Sequence, residues 1–256
     1  MKESFNLDYL NQKYPNHNIN VEKSSKIKGS GGYGNIFPFS LFFNKKNKSG
    51  NSYCESENRV FKKRDFVIKV FNDIEIFNHS LKIFDFLKSN KITTFKNYRK
   101  YEYNCVIMED LSLDNNFCVS PNNAESSLNK DAQYLKENKI DEILNFDEFL
   151  ENGFKVCENL TSINFGIYSS DAFLFLGKKS KCINLKFIVG DFDNCHLRYS
   201  SSNYLQFCFS VENFLLEFVD KKNCQSYINY LNKFKDNFEN NKNQREIIKK
   251  NVEVKN

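Results

Sequence analysis

Apolar and polar positions change period several times along the chain, and each change marks an element. From Lys26 to Phe43, aromatic and β-branched residues flank a cluster of glycines, which predicts two strands around a glycine turn. The polar turn formers of 44–58 predict a loop, and RVFKKRDFVIKVF at 59–71 predicts a strand. Ile74, Phe77, Leu81 and Phe84 recur at helical spacing, so a helix is expected over 73–89. YEYNCVIMEDL at 101–111 reads as a strand running into a connector, and the polar, weakly periodic stretch 112–138 as an insertion. Ile143, Phe146, Leu150, Cys157 and Leu160 mark one face of a helix over about 141–163. AFLFL (172–176) and NLKFIVG (184–190), separated by GKKSKCI, predict a hairpin. A largely apolar helix is expected at 204–219 and a shorter amphipathic one at 225–238. Residues 1–24 read as a flexible or helical extension, and the charged, Asn-rich tail from about 239 as frayed.

A chain of 256 residues can bury a real core, as one domain or as one domain with two lobes. Aromatic content is 16%, with 27 Phe and no Trp, while Lys and Asn are so abundant that short motifs built on them carry little weight alone. The net charge of +5 is dispersed, with acidic residues interleaved, which fits a solvated surface and argues against a nucleic-acid-binding face. Eight cysteines form no CxxC pair, and several sit in apolar runs, so free buried thiols of a reducing compartment are expected. His17, His79 and His196 lie far apart and near no Cys pair, which gives a metal-ligand cluster no support. No stretch approaches the length of a membrane span, and residues 1–24 lack an apolar signal core. The expectation is an intracellular, cytoplasmic protein with no membrane partner.

Three segments carry candidate chemistry. Gly29-Ser30-Gly31-Gly32-Tyr33-Gly34, continued by Asn35-Ile36, satisfies G-x-G-x-x-G. Glycines allow backbone to approach phosphate oxygens closely, although a hairpin turn that needs several glycines would have the same spelling. The next segment, NIFPFSLFF, is strand-like rather than helical, which favours a strand–loop–strand lid over a Rossmann turn. Phe66-Val67-Ile68-Lys69 is a strand ending in a lysine; such a lysine meets a phosphate or a carboxylate, or snorkels from an edge. Val106-Ile107-Met108-Glu109-Asp110-Leu111 is an apolar strand turning polar.

In this order, over roughly 26–219, the segments resemble the protein kinase superfamily. The resemblance implies an α+β, two-lobed fold: a small β-rich lobe at about 25–111 and a reduced, mainly helical lobe at about 112–238, with an extension at 1–24 and a charged tail at 239–256. It implies ATP and Mg²⁺ as ligands, with Gly29, Gly31, Gly34 and Ile36 over the nucleotide and Lys69 on the phosphates. Met108 would be the gatekeeper, with the Glu109 carbonyl and the Leu111 N–H facing adenine. Glu75 would pair with Lys69, although Asp85 is better spaced and shorter. Phe187-Ile188-Val189-Gly190-Asp191-Phe192-Asp193 resembles the strand into D-F-G, which makes Asp191 a magnesium ligand and puts Asp193 in place of the glycine.

The catalytic loop admits two alignments. In the first, Asn164 to Asp171 is laid over H-R-D-x-x-x-x-N, so Asp171 replaces the metal-binding Asn and Gly166 stands where the catalytic Asp belongs. In the second, Asp171 is the catalytic Asp, but Leu176 then takes the metal position and the hairpin loses its first strand. The first keeps the hairpin and is preferred. Phe207 to Glu217 resembles the central helix of the large lobe, with Ser210 and Glu217 in place, Phe207 where a loop-bracing Asp is expected and Glu212 where a Gly is expected. No A-P-E-like segment comes after Asp191. The resemblance therefore implies a pseudokinase that binds ATP–Mg²⁺ and regulates a protein partner. The alternatives are an active divergent Ser/Thr kinase acting on a protein substrate and a small-molecule kinase of the aminoglycoside or choline type. All expect the glycine turn, Lys69 and Asp191 to serve one cleft.

Overall fold

The computed structural model describes residues 17–31, 33–45, 62–121 and 129–253. They are mixed α+β and fall into two compact units, one reaching Leu113 and the other starting at Asp114, with the piece that ends at Lys130 counted to the first.

In the first unit, β1 (His17–Lys23), β3 (Gly34–Lys45), β4 (Lys62–Phe71), β6 (Cys105–Glu109) and β5 (Tyr98–Glu102) form an antiparallel sheet in that order, and β2 (Gly29–Gly31) also pairs with β3. Two expectations change here. His17–Lys23 is a strand and not part of an extension, because Ile19 and Val21 alternate with polar residues and the stretch pairs along Phe39–Lys45. Residues 1–16 lie outside the described residues, as do 46–58 of the expected loop. The segment read as one strand at 101–111 instead holds the end of β5, a turn at Tyr103-Asn104 and all of β6, which form a hairpin. Helix α1 (Ile74–Ser89) starts at Asp73, whose carboxylate accepts the N–H groups of Glu75 (2.6 Å) and Ile76 (3.2 Å). It buries Phe77, Ser80, Ile83, Phe84 and Leu87, with Phe77 edge-on to Phe71 and Phe84 against Tyr98.

The second unit is built on a three-stranded antiparallel sheet, β12 (Lys186–Val189), β10 (Phe173–Lys178) and β7 (Asn116–Val119). Strands β10 and β12 are the hairpin expected from the sequence. Strand β7 and helix α2 (Lys130–Glu137) lie in the stretch read as an insertion; residues 122–128 between them are outside the described residues. The N–H of Cys118 in β7 donates to the Asp131 carboxylate of α2, which also pairs with Lys179 at 2.8 Å. Short pairs join β8 (Glu142–Ile143) to β11 (Cys182–Ile183) and β9 (Gly166–Ile167) to β13 (Cys195–His196).

Helices α3 (Phe146–Ser162) and α4 (Asn203–Phe218) pack face to face, and the core between them and the sheet is aromatic: Phe149, Phe154, Phe173, Phe175, Phe207 and Phe214 are all buried. Helix α5 runs without a break from Lys221 to Glu253, where the sequence pattern predicts a helix ending at 238 and fraying beyond it. No Gly or Pro interrupts that stretch, so weak amphipathicity does not stop it. No described helix is long and apolar enough to cross a membrane. The seven described cysteines are free thiols; burial pushes those of Cys157 and Cys195 well up, and that of Cys208 up to about 12.

Candidate functional site

Strand register places the first set of candidates on one face of the sheet. Gly29 stands opposite Ile36, Ile36 opposite Lys69, and Lys69 opposite Val106; two residues along, Gly31 stands opposite Gly34, and Val67 opposite Met108. Directly paired residues and those two apart share a face, so Gly29, Gly31, Gly34, Ile36, Lys69 and Met108 lie on the same side. The same side carries Phe71 and Tyr98, which receive α1. The other face belongs to Phe39, Leu41, Ile68 and Cys105, with Phe37, Phe66, Val70 and Ile107 around them.

The glycine segment is a tight hairpin in which β2 and β3 are joined through position 32, outside the described residues, and an exposed Tyr33. Its tip is tied to the end of the lysine strand, since the Asn72 N–H donates to the Tyr33 carbonyl at 3.0 Å. At Gly34 a β-carbon would stand 2.3 Å from the Val70 carbonyl oxygen, so only glycine allows the hairpin to lie this close to β4. Gly34→Ala should therefore lower stability by about 1–3 kcal/mol, measured by urea unfolding of the wild type and variant. Lys69 lies in the interior strand β4, half-buried, with its ammonium 4.7 Å from the centre of the Phe71 ring. Glu75 is exposed in the first turn of α1, and Asp85 is exposed three turns on. Met108 is buried in β6, and Glu109 closes the strand opposite Phe66. The Glu109 side chain turns to the 96–97 loop, where Oε1 accepts the Lys96 N–H at 2.7 Å. Leu111 is half-buried in the turn after β6.

In the second unit the β10–β12 hairpin collects the acidic candidates. Phe173 pairs with Val189, and the Gly190 N–H donates to the Ala172 carbonyl at 2.9 Å, so Asp171 and Asp191 flank the same end of the hairpin. Each sits in a short 3-10 turn or at its start, Ser170–Ala172 and Phe192–Asn194, and the two turns lie against each other. The Asp171 carboxylate accepts the Ser120 hydroxyl at 3.1 Å and the Ser169 hydroxyl at 3.2 Å. For Asp191, Oδ1 is buried and receives no hydrogen bond from the described residues. Two carboxylates at one end of a hairpin offer oxygen donors of the kind that a hard cation takes. Among the described residues no three His, Cys, Asp or Glu side chains gather as a closed metal cage.

Strand β9 ends at Ile167, so only Tyr168, Ser169 and Ser170 separate it from Asp171, and none of the three is acidic. Gly166 is in that strand, opposite His196, and its β-carbon would stand 2.9 Å from the Arg198 carbonyl oxygen. Leu176, which the second alignment puts at the metal-binding position, sits inside β10 between Lys186 and Cys118.

One residue with a clear role was missed in the sequence. Asn203, fully buried at the start of α4, accepts the Ile167 N–H at 2.8 Å and donates to the Phe165 carbonyl at 2.8 Å and the Thr161 hydroxyl at 3.1 Å. It braces the approach to the 168–170 segment from one helical turn before Phe207. Ser210 adds a second brace by donating to the Ser170 carbonyl. A polar residue one turn upstream on the buried stripe of an apolar helix was the available signal. Compared with known proteins, the chain matches no family model and no curated protein.

Proposed function

We propose that this chain is a divergent protein-kinase-like domain that binds ATP with Mg²⁺ and acts chiefly as a pseudokinase, regulating a protein partner in a reducing intracellular compartment. One observation carries the reading. The glycine hairpin, Ile36, Lys69 and Met108 share a sheet face, in the chain order in which a nucleotide-binding lobe would use them.

In this assignment the backbone of the glycine hairpin and the Lys69 ammonium receive the phosphates, and the chain between Met108 and Leu111 meets the base. Asp171 and Asp191 hold the cation, each as an oxygen donor, with Ser120 and Ser169 orienting the Asp171 carboxylate. Magnesium, when bound, neutralises charge on the phosphates. Tyr168–Ser170 offers no carboxylate to take a proton from an acceptor hydroxyl. General-base help is worth about 10²–10⁴ in rate, so its loss suppresses transfer while leaving nucleotide binding intact.

Thermal unfolding with and without ATP–Mg²⁺ tests this. At about a hundred times the dissociation constant, ligand should stabilise the wild type by about 2.7 kcal/mol, and Lys69→Ala and Asp191→Asn should each reduce the gain. A flat wild-type response removes the nucleotide. Transfer of labelled phosphate that both substitutions abolish would instead make the protein an active kinase.

A further inference from the structure

Lys28 and Asp110 lie 82 residues apart, one immediately before the glycine hairpin and the other immediately after β6. Strands β3 and β4 stand between β2 and β6 in the sheet, so no backbone ladder joins the two segments directly. Their side chains do. The Lys28 ammonium donates to both carboxylate oxygens of Asp110. Asp110 keeps only 8% of its side-chain surface exposed, and Lys28 keeps 33%. The carboxylate is fixed from its own side as well, since Oδ1 accepts the N–H (3.1 Å) and hydroxyl (2.8 Å) of Ser112. On the hairpin side, the Lys28 N–H donates to the Ile36 carbonyl at 2.8 Å, so the lysine is anchored at the root of the β2–β3 hairpin.

We infer that the Lys28–Asp110 ion pair is a positioning tie that holds the root of the glycine hairpin to the chain segment that reads the base, and so sets nucleotide affinity. The inference rests on the nucleotide-binding reading above. A largely buried carboxylate held by three donors is a rigid post, unlike an exposed ion pair that exchanges freely with water. A phosphate-facing turn that is competent only part of the time weakens apparent affinity in proportion to the lost fraction. A tie at the root raises that fraction without touching ligand. It links the phosphate-facing turn to the base-facing connector, so the two ends of one nucleotide are recognised together.

Two measurements on the full chain test the tie. ATP–Mg²⁺ affinity and dissociation rate are compared in wild type, Lys28→Met, Asp110→Asn and the charge-keeping Lys28→Arg. Amide hydrogen exchange over 29–36 is tracked in the same proteins without nucleotide. Lys28→Met and Asp110→Asn should weaken ATP by about fivefold to tenfold through faster dissociation and should speed exchange across the hairpin, while Lys28→Arg restores both. Wild-type affinity in Lys28→Met and Asp110→Asn, or unchanged exchange, overturns the inference while the nucleotide reading stands. If wild type binds no ATP although exchange still rises in Lys28→Met, the nucleotide reading fails and takes the role assigned to the pair with it.

Discussion

Replacing Phe207 by Asp, the residue that the kinase resemblance asks for at this point of α4, should unfold the second unit rather than repair a catalytic loop. Phe207 is fully buried, and its ring lies 5.1–6.5 Å from those of Phe149, Phe154, Phe173, Phe175 and Phe187. It also fills the space over Gly153, where a β-carbon would come within 2.0 Å of the ring. Truncating such a ring costs about 3–5 kcal/mol, and an unpaired carboxylate left in the same apolar site adds several more, or forces the acid to stay neutral. Total stability of a domain is about 5–15 kcal/mol. Phe207→Asp should therefore lose cooperative unfolding in urea and its near-ultraviolet aromatic signal, whereas Phe207→Leu should keep both. An Asp variant that melts like the wild type would mean that the aromatic cluster is not the core of this unit.

Asn203→Leu should destabilise by about 2–5 kcal/mol. The change keeps the size of the side chain but strands the Ile167 N–H and the Phe165 carbonyl, and a buried backbone group without its partner costs about 1–3 kcal/mol. Asn203→Asp separates hydrogen bonding from bulk. Ionised, it can still accept from Ile167 but donates to neither Phe165 nor Thr161; protonated, its one O–H can replace one of those two bonds, so it should fall between Leu and the wild type only in the protonated form. Chemical denaturation of the three proteins at pH 7 gives the order, and a loss under about 1 kcal/mol for Leu would show that the 165–167 backbone is held by other means.

These two positions also mark how far the fold was legible from the residues alone. Where period and burial agree, elements are legible: β4 alternates toward Lys69, α1 carries its Phe stripe onward from a capping Asp, and the two apolar runs around 172–190 form the expected hairpin. The same register sets Asp171 and Asp191 at one end of that hairpin. Asn203 is not legible in the motif, which puts the brace at 207, whereas the side chain one turn earlier on the same stripe holds the backbone at 165–167. Strand β7 was hidden because four residues are too few to show a period, and its place is set by pairing with β10 across the sheet. Strand β1 was obscured by asparagines, which favour loops locally but are overruled once a neighbour supplies the ladder.

The common side shared by Gly34, Ile36, Lys69 and Met108 has a consequence for how this protein could change over time. Side chains in a strand alternate strictly, so adding or deleting one residue within β4 would swing Lys69 across to the Phe39 and Ile68 side and bring a greasy neighbour round in its stead. Point changes there are graded, but a change in length is all or nothing. Insertions are therefore confined to the bends between strands, and the spacing inside Phe66–Lys69 is fixed by geometry before any chemistry is asked of it.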